Sequence, residues 1–228
     1  MHIPDGYLSP QTFLPMYGVS ATIWGIGLKK IKKELPLKHI PYLSMAAAFS
    51  FLVMMFNVPI PGGTTGHAVG GGIIAILLGP WTAVVAVSTV LVIQALVFGD
   101  GGITALGANC FNMAIVLPFV SYWTFKLLNG RATGGKRMYI SSFLAGWLGL
   151  TVASAFAGTE LGIQPIIAKA ADGAPLYAPY PLSIALPAMV GEHALVFAPV
   201  EGLVTALLLG YFLKNEPETV YAMKGGGE

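Results

Sequence analysis

The sequence predicts an all-α membrane protein with seven transmembrane helices, the amino terminus outside and the carboxyl terminus cytoplasmic. Three observations carry this. Of 228 residues, 55% are hydrophobic and only 10% charged, with mean hydropathy +0.74, whereas soluble domains average about 25% charged residues. The apolar residues gather into seven runs separated by short Gly/Pro-rich or basic segments. Of the twelve basic residues, nine follow the first and fifth runs, two lie in the tail, and Lys169 stands apart. The positive-inside rule places those basic stretches in the cytoplasm, which seven crossings satisfy only with the amino terminus outside.

A bilayer core takes about 20 apolar residues per helix, fewer where a segment stops short. The whole chain, residues 1–228, reads as one integral membrane domain. An amino-terminal segment, 1–11, precedes the first span at 12–28, and a cytoplasmic loop follows at 29–40. The second span is 42–57, and the Pro/Gly loop VPIPGGTTG fills 58–66. Residues 67–79 form a short span, cut from the fourth (81–98) by Gly79-Pro80. A second outer loop, 99–106, opens with Gly99-Asp100-Gly101-Gly102; the fifth span is 107–128 and the next cytoplasmic loop 129–137. The sixth span is 139–157, a longer polar connection covers 158–181, the seventh span lies within 182–213, and 214–228 is a cytoplasmic tail. Both glycine loops therefore emerge on the side of Met1.

Several function classes drop out. A net charge of +2 is too small to suggest nucleic acid. Cys110 is the single cysteine and sits in an apolar run, so no disulfide framework or thiolate metal site is available. Gly130 to Arg137 nearly matches the phosphate-binding G-x-x-x-x-G-K-[ST] loop, but Arg137 replaces the magnesium-binding hydroxyl and no strand precedes it. The chain is expected to carry no ATPase of its own. Gly18, Ala21, Thr22 and Gly25 make a small-residue stripe on the first span that permits tight contact with another helix, inside the bundle or on a partner.

The candidate chemistry starts at the first residues, Met1-His2-Ile3-Pro4-Asp5-Gly6. They show no signal-peptide pattern, and bulky His2 is expected to protect Met1 from trimming. A free amine one residue before an imidazole can chelate. The amine, the His2 amide nitrogen once deprotonated, and His2 Nδ1 close fused rings on one metal, leaving a planar position for a second imidazole. All-nitrogen planar ligation suits Ni(II) or Cu(II), then Co(II), and poorly suits Zn(II), Mg(II) or Ca(II).

His67 is the candidate for that position. It follows Gly62 to Gly66 and is expected to open a helical segment capped by Thr64 or Thr65, where a helix N-terminus keeps the imidazole neutral. Small residues at 68, 70, 71 and 72 would admit another backbone. The plainer reading of His67 is a loop histidine meeting water or headgroups. Polar residues in or near spans are functional candidates by default. Gln94, Asp100 and Asn109 could bond the free nitrogen of His67 or hold the amino-terminal segment, with Asp5 a further candidate there. Glu192 and His193 are adjacent, about 100° apart on a helix, and lack the Glu-x-x-His spacing, so they read as interhelical contacts or outer partners of the site rather than as a hydrolytic centre. Glu201 reads the same way.

The blocks MHIPDGYLS, GGTTGHAVGGG around His67, QALVFGDGGITALGANCFNMA from Gln94 and GEHALVFAPVEGL from Gly191 together resemble the CbiM/NikM family, across essentially the whole chain. These are the substrate-binding membrane components of cobalt and nickel energy-coupling-factor transporters. The resemblance implies a six-helix core of the vitamin-binding type with an added amino-terminal helix. It implies metal ligands at the Met1 amine, the His2 amide nitrogen and imidazole, and the His67 imidazole. It further implies Ni2+ or Co2+ as transported substrate, and a non-enzymatic role in a prokaryotic plasma or inner membrane. The implied partners are a transmembrane coupling subunit, two cytoplasmic ATPases and a small accessory membrane protein. A passive metal channel is the rival reading from another class.

Overall fold

In the computed structural model, which describes residues 1–34, 40–130, 132 and 134–220, seven helices fall on the seven apolar runs. They are α1 (Pro10–Glu34), α2 (Ile40–Met54), α3 (Gly71–Leu78), α4 (Pro80–Phe98), α5 (Leu106–Asn129), α6 (Gly135–Ile167, interrupted at Ile163) and α7 (Leu182–Asn215). Four of these, α4 to α7, are long and apolar enough to cross a membrane, while α2 is apolar but shorter. One departure from an all-α fold is a ribbon of two short strands. Val58–Pro59 (β1) pairs antiparallel with Thr65–Gly66 (β2), Val58 opposite Gly66 and Pro59 opposite Thr65.

The centre of the bundle is α3. Its eight residues rise only about 12 Å, less than half of a hydrocarbon core of about 30 Å. Residues 71–77 are buried on every side, as an all-apolar helix requires, and they pack against α4, α5, α6 and α7. Gly79, at φ 90°, turns the chain directly into α4; a residue with a Cβ rarely adopts that conformation. Pro80 then supplies the preset φ of a first helical residue.

Close helix contact rests on missing side chains. A Cβ on Gly146 of α6 would lie 2.9 Å from the Glu201 carbonyl oxygen and 3.0 Å from Gly202 Cα of α7. One on Gly202 would lie 2.6 Å from the Phe143 carbonyl oxygen. The two backbones therefore touch, as small residues allow in membrane bundles. Three helices also widen into π geometry, at Gln94–Phe98, Cys110–Val116 and His193–Phe197. Each wide turn carries a buried polar side chain: Gln94, Asn112 and His193. Buried, free Cys110 is the small apolar filler its context predicts.

Several expected boundaries move. The basic run Lys29 to Lys33 forms the last turns of α1 rather than a loop, where cations complement the helix dipole. Residues 35–39, with Lys38, and the tail from 221 lie outside the described residues, as do Arg131 and Thr133. α6 begins at Gly135 and continues past Ala157 into the stretch expected to be a polar connection. Gly158 and Gly162, which resemble loop punctuation, instead bring α6 against α7: their Cβ positions would lie 3.0 Å from Leu186 Cα and 2.6 Å from Leu182 Cα. His67 does not open a helix. The run from His67 to Gly70 has no regular structure, Thr65 belongs to β2, and the helix starts only after Gly70, which is left-handed at φ 76° with no side-chain cap of its own. The stripe Gly18, Ala21, Thr22 and Gly25 is exposed, so it is not an internal packing face. The inner face of α1 is instead Ser20, which donates to the Gly107 carbonyl (2.7 Å), and Trp24, which donates to Ser88 Oγ (2.9 Å).

Replacing Gly146 by Val should overpack the α6–α7 contact and cost about 1–3 kcal/mol. Thermal unfolding in detergent should show a clearly lowered midpoint, whereas Gly191→Ala, where an added Cβ meets nothing within 4 Å, should leave it unchanged.

Candidate metal centre

The amino-terminal segment enters the bundle instead of fraying. Met1, His2 and Ile3 are 0%, 3% and 0% exposed. A buried backbone must pair its polar groups, and here loops and side chains supply what a neighbouring strand would. Asn109 Oδ1 accepts the Ile3 N–H (2.8 Å) while its Nδ2 donates to the Ile3 carbonyl (3.0 Å). Gly102 N–H donates to the same carbonyl at 2.8 Å. The approach requires glycine: a Cβ on Gly102 would meet Asp5 Oδ1 at 2.6 Å and the Pro4 carbonyl carbon at 2.7 Å. The Asp5 carboxylate accepts from the Ile103 and Thr104 N–H groups (3.1 and 2.7 Å) and the Thr104 hydroxyl (2.5 Å). These bonds hold its pKa below the ordinary range, the hydroxyl foremost. Further along, Gln164 Oε1 accepts the Ser9 N–H (2.9 Å) and Gln164 Nε2 donates to Thr12 (2.9 Å), fastening the segment to α6.

At the inner end the Met1 amine donates to the Thr65 carbonyl oxygen and lies 3.2 Å from Thr65 Oγ1. His2 and His67 stack with ring centroids 4.6 Å apart and planes 27° from parallel. Each imidazole has one nitrogen spoken for. His2 Nε2 is 3.1 Å from Gln94 Oε1, and a carbonyl oxygen only accepts, so Nε2 carries the proton. His67 Nδ1 is likewise a donor, to the Ala68 carbonyl at 3.0 Å. The remaining nitrogens, His2 Nδ1 and His67 Nε2, are buried lone pairs without a hydrogen-bond partner. Burial lowers the Met1 amine well below 8.0, against a smaller opposing pull from Asp100. It also lowers His2 to about 3, helped by the amine's charge, and pushes His67 well below 6.5. Both imidazoles are therefore stable in the neutral, electron-donating form, and burial shifts the amine in the same direction.

A metal centre of ordinary side-chain triads is not present: among the described residues no three His, Cys, Asp or Glu side chains converge on one point. The nitrogen donors that lie together here are the stacked imidazoles of His2 and His67 and the first backbone nitrogens; His193 Nε2 is a further buried imidazole nitrogen without a hydrogen-bond partner.

The loop bearing His67 is itself anchored by a residue that the sequence singled out as an interhelical contact or an outer partner of the site. Glu201 of α7 is 1% exposed. Its Oε2 accepts the N–H groups of Val69 and Gly70, both at 2.8 Å, and its Oε1 accepts that of Gly72 at 3.1 Å. These are the unpaired donors at the start of α3, and a carboxylate there is stabilised by the helix dipole. The distant Glu201 thus performs the capping expected of Thr64 or Thr65.

Other expected partners distribute unevenly. Gln94 bonds His2, not His67, whose second nitrogen is taken by its neighbour's carbonyl. Asp100 Oδ1 lies 3.5 Å from His2 Nδ1, and Asn57 Nδ2 donates to its Oδ2 at 3.2 Å; burial pushes its carboxyl up. Asn109 does hold the amino-terminal segment. His193 donates through Nδ1 to the Met189 carbonyl of its own helix (2.7 Å) and packs on Phe197, while Glu192 is half-buried at that helix turn. The sequence offers Thr65 only as a cap and gives no signal for Asn57 or Thr104, because the bonds they make are set by loop conformation.

Comparison with known proteins bears on the family and the fold. A family model described as the CbiM cobalt uptake substrate-specific transmembrane region matches residues 2–219. The fused nickel transport protein NikMN of Rhodobacter capsulatus is 50% identical over 219 residues, which are 96% of this chain and 63% of that protein. This chain thus spans less than two thirds of that relative's length. Among solved structures, a transition metal transporter superposes with TM-score 0.91 at 43% identity, covering 99% of this chain and 100% of that one. A truncated transition metal transporter does so with TM-score 0.90 at 45% identity, covering 94% and 99%.

Glu201→Ala should leave three buried N–H groups without acceptors and cost at least about 2–3 kcal/mol. Hydrogen exchange at Val69, Gly70 and Gly72 should speed up, with Glu201→Gln, which keeps one acceptor oxygen, intermediate.

Proposed function

Because the chain belongs to the CbiM family of substrate-specific transmembrane regions for cobalt uptake, we propose that it is the metal-capturing membrane subunit of an energy-coupling-factor importer for Ni2+ or Co2+. The observation that supports this most is the pair of buried, unpartnered imidazole nitrogens, His2 Nδ1 and His67 Nε2, beside a buried terminal amine. Such lone pairs are costly to bury unless something fills them. A divalent cation that accepts nitrogen donors does so.

The mechanism follows from the donors. The metal arrives from outside and takes the Met1 amine, the deprotonated His2 amide nitrogen and His2 Nδ1 as one chelate. His67 Nε2 completes the plane. Gln94 and Ala68 hold the opposite ring nitrogens protonated, so both rings present the correct tautomer before the ion arrives. Four nitrogens in a plane favour Ni2+ by coordination preference, and copper would bind at least as well by intrinsic affinity. Metal binding releases protons, the amide proton among them.

The chain crosses the membrane seven times in this reading, α3 as a half-span, with the amino terminus outside and the basic ends of α1 and α5 in the cytoplasm. It hydrolyses no ATP. A transmembrane coupling subunit, two cytoplasmic ATPases and a small accessory membrane protein provide the energy and the motion. Saturable uptake that stops when the ATPase subunits are inactivated separates this from a passive channel.

One residue inserted before Met1 keeps every side chain and moves the amine out of the chelate. Equilibrium titration of purified protein with Ni2+ or Co2+ should show affinity falling by about a hundredfold or more, as should His67→Ala; unchanged binding by the insertion would refute the site. The pH dependence has a definite sign. Docking depresses the amine below 8.0 and His2 from 6.5 to about 3, so the undocked segment binds protons first. Docking should be strongest above pH 8 and weaken on acidification, with His2 adding to the loss from pH 6.5 down to about 3. Amide exchange at Ile3 and Gly102 without metal reports it, and metal affinity should fall in the same direction.

A further inference from the structure

The loops around the amino-terminal segment enclose an open cavity of about 440 Å3, lined among others by His2, Thr64, Thr65, Tyr7, Tyr180 and Asp100. At roughly 30 Å3 per water, six waters occupy about 180 Å3, so a hydrated divalent ion fits. Glycines at 62, 63, 99 and 101 are among the lining residues and add no side chain to the cavity. Among the described residues lining the cavity, Asp100 is the one acid. Its side chain is 23% exposed while His2 is almost wholly buried, and its Oδ1 lies 3.5 Å from His2 Nδ1. The carboxylate therefore stands between solvent and the nitrogen that needs a metal. Asp5, the other acid nearby, has its oxygens committed to Ile103 and Thr104.

We infer that this cavity is the entry port of the site and that Asp100 is a capture group: it draws a hydrated divalent cation in and holds it beside His2 before the nitrogens replace its waters. The inference rests on the metal-capturing function proposed above. A single negative charge in a concave, partly dry cleft focuses the field along one path and so acts on affinity through the association rate. Asn57 holds one oxygen of the carboxylate through its amide N–H, leaving the other turned toward His2.

The test is stopped-flow association of Ni2+ with the full chain in nanodiscs of zwitterionic lipid, followed by the absorbance of the nitrogen-ligated ion, across a range of ionic strength. Asp100→Asn should slow association about tenfold at low salt and flatten its salt dependence, with dissociation and the final spectrum unchanged. Asp100→Glu should retain most of the rate. The exchange Asn57→Asp with Asp100→Asn returns the charge one side chain away and should restore fast, salt-sensitive association, which a merely structural role would not. Unchanged association in Asp100→Asn, or a change confined to dissociation or the spectrum, overturns the capture role. Absence of any Ni2+ binding by the unaltered chain overturns the functional reading itself, a separate outcome.

Discussion

The docking of the first three residues between two glycine-bearing loops is the interaction on which the rest of the structure depends. A chain terminus in a bundle must surrender the hydration of an amine and of several peptide groups, each costly unless paired. The surrounding elements are shaped to that need. Asn109 imitates a neighbouring strand for Ile3, Gly102 supplies a third bond, and Thr65 receives the amine. The glycine at 102 is required because nothing larger fits between Asp5 and Pro4.

The other half of the centre depends on a second device of the same kind. A half-length helix that starts inside the bundle exposes unpaired N–H groups where no water can reach them. Glu201 accepts three of them from across the core. This fixes the irregular run from His67 to Gly70, and the close α6–α7 contact through Gly146 and Gly202 holds the backbone that carries Glu201. The position of one imidazole is thereby tied to helix packing on the far side of α3.

The two devices together yield neutral nitrogen donors in a dry place. Burial favours the uncharged amine and imidazoles, and single hydrogen bonds to Gln94 and Ala68 decide which nitrogen of each ring is left open. Asp100 stands on the wet side of the same ring.

The number and order of the helices were legible in the sequence, because apolar runs and basic clusters respond to the bilayer residue by residue and need no knowledge of neighbours. So was the chelating potential of Met1 and His2, which is a property of covalent adjacency. The sequence also offered His67 as the partner of the terminus and Asn109 as a holder of its segment, and the structure brings both pairs together. Most relations between distant segments lay beyond the sequence. Gly158 and Gly162 read as punctuation and serve as contact surface; Thr64 and Thr65 read as caps, and the cap came from Glu201. The small stripe of α1 turned outward, and Gln94 chose His2 over His67. Local composition thus determined that this chain is a seven-helix bundle with a nitrogen-rich terminus. Only the tertiary structure decided that the terminus meets His67 and Asp100, because that meeting depends on loop conformation and helix packing, which join residues far apart in the chain.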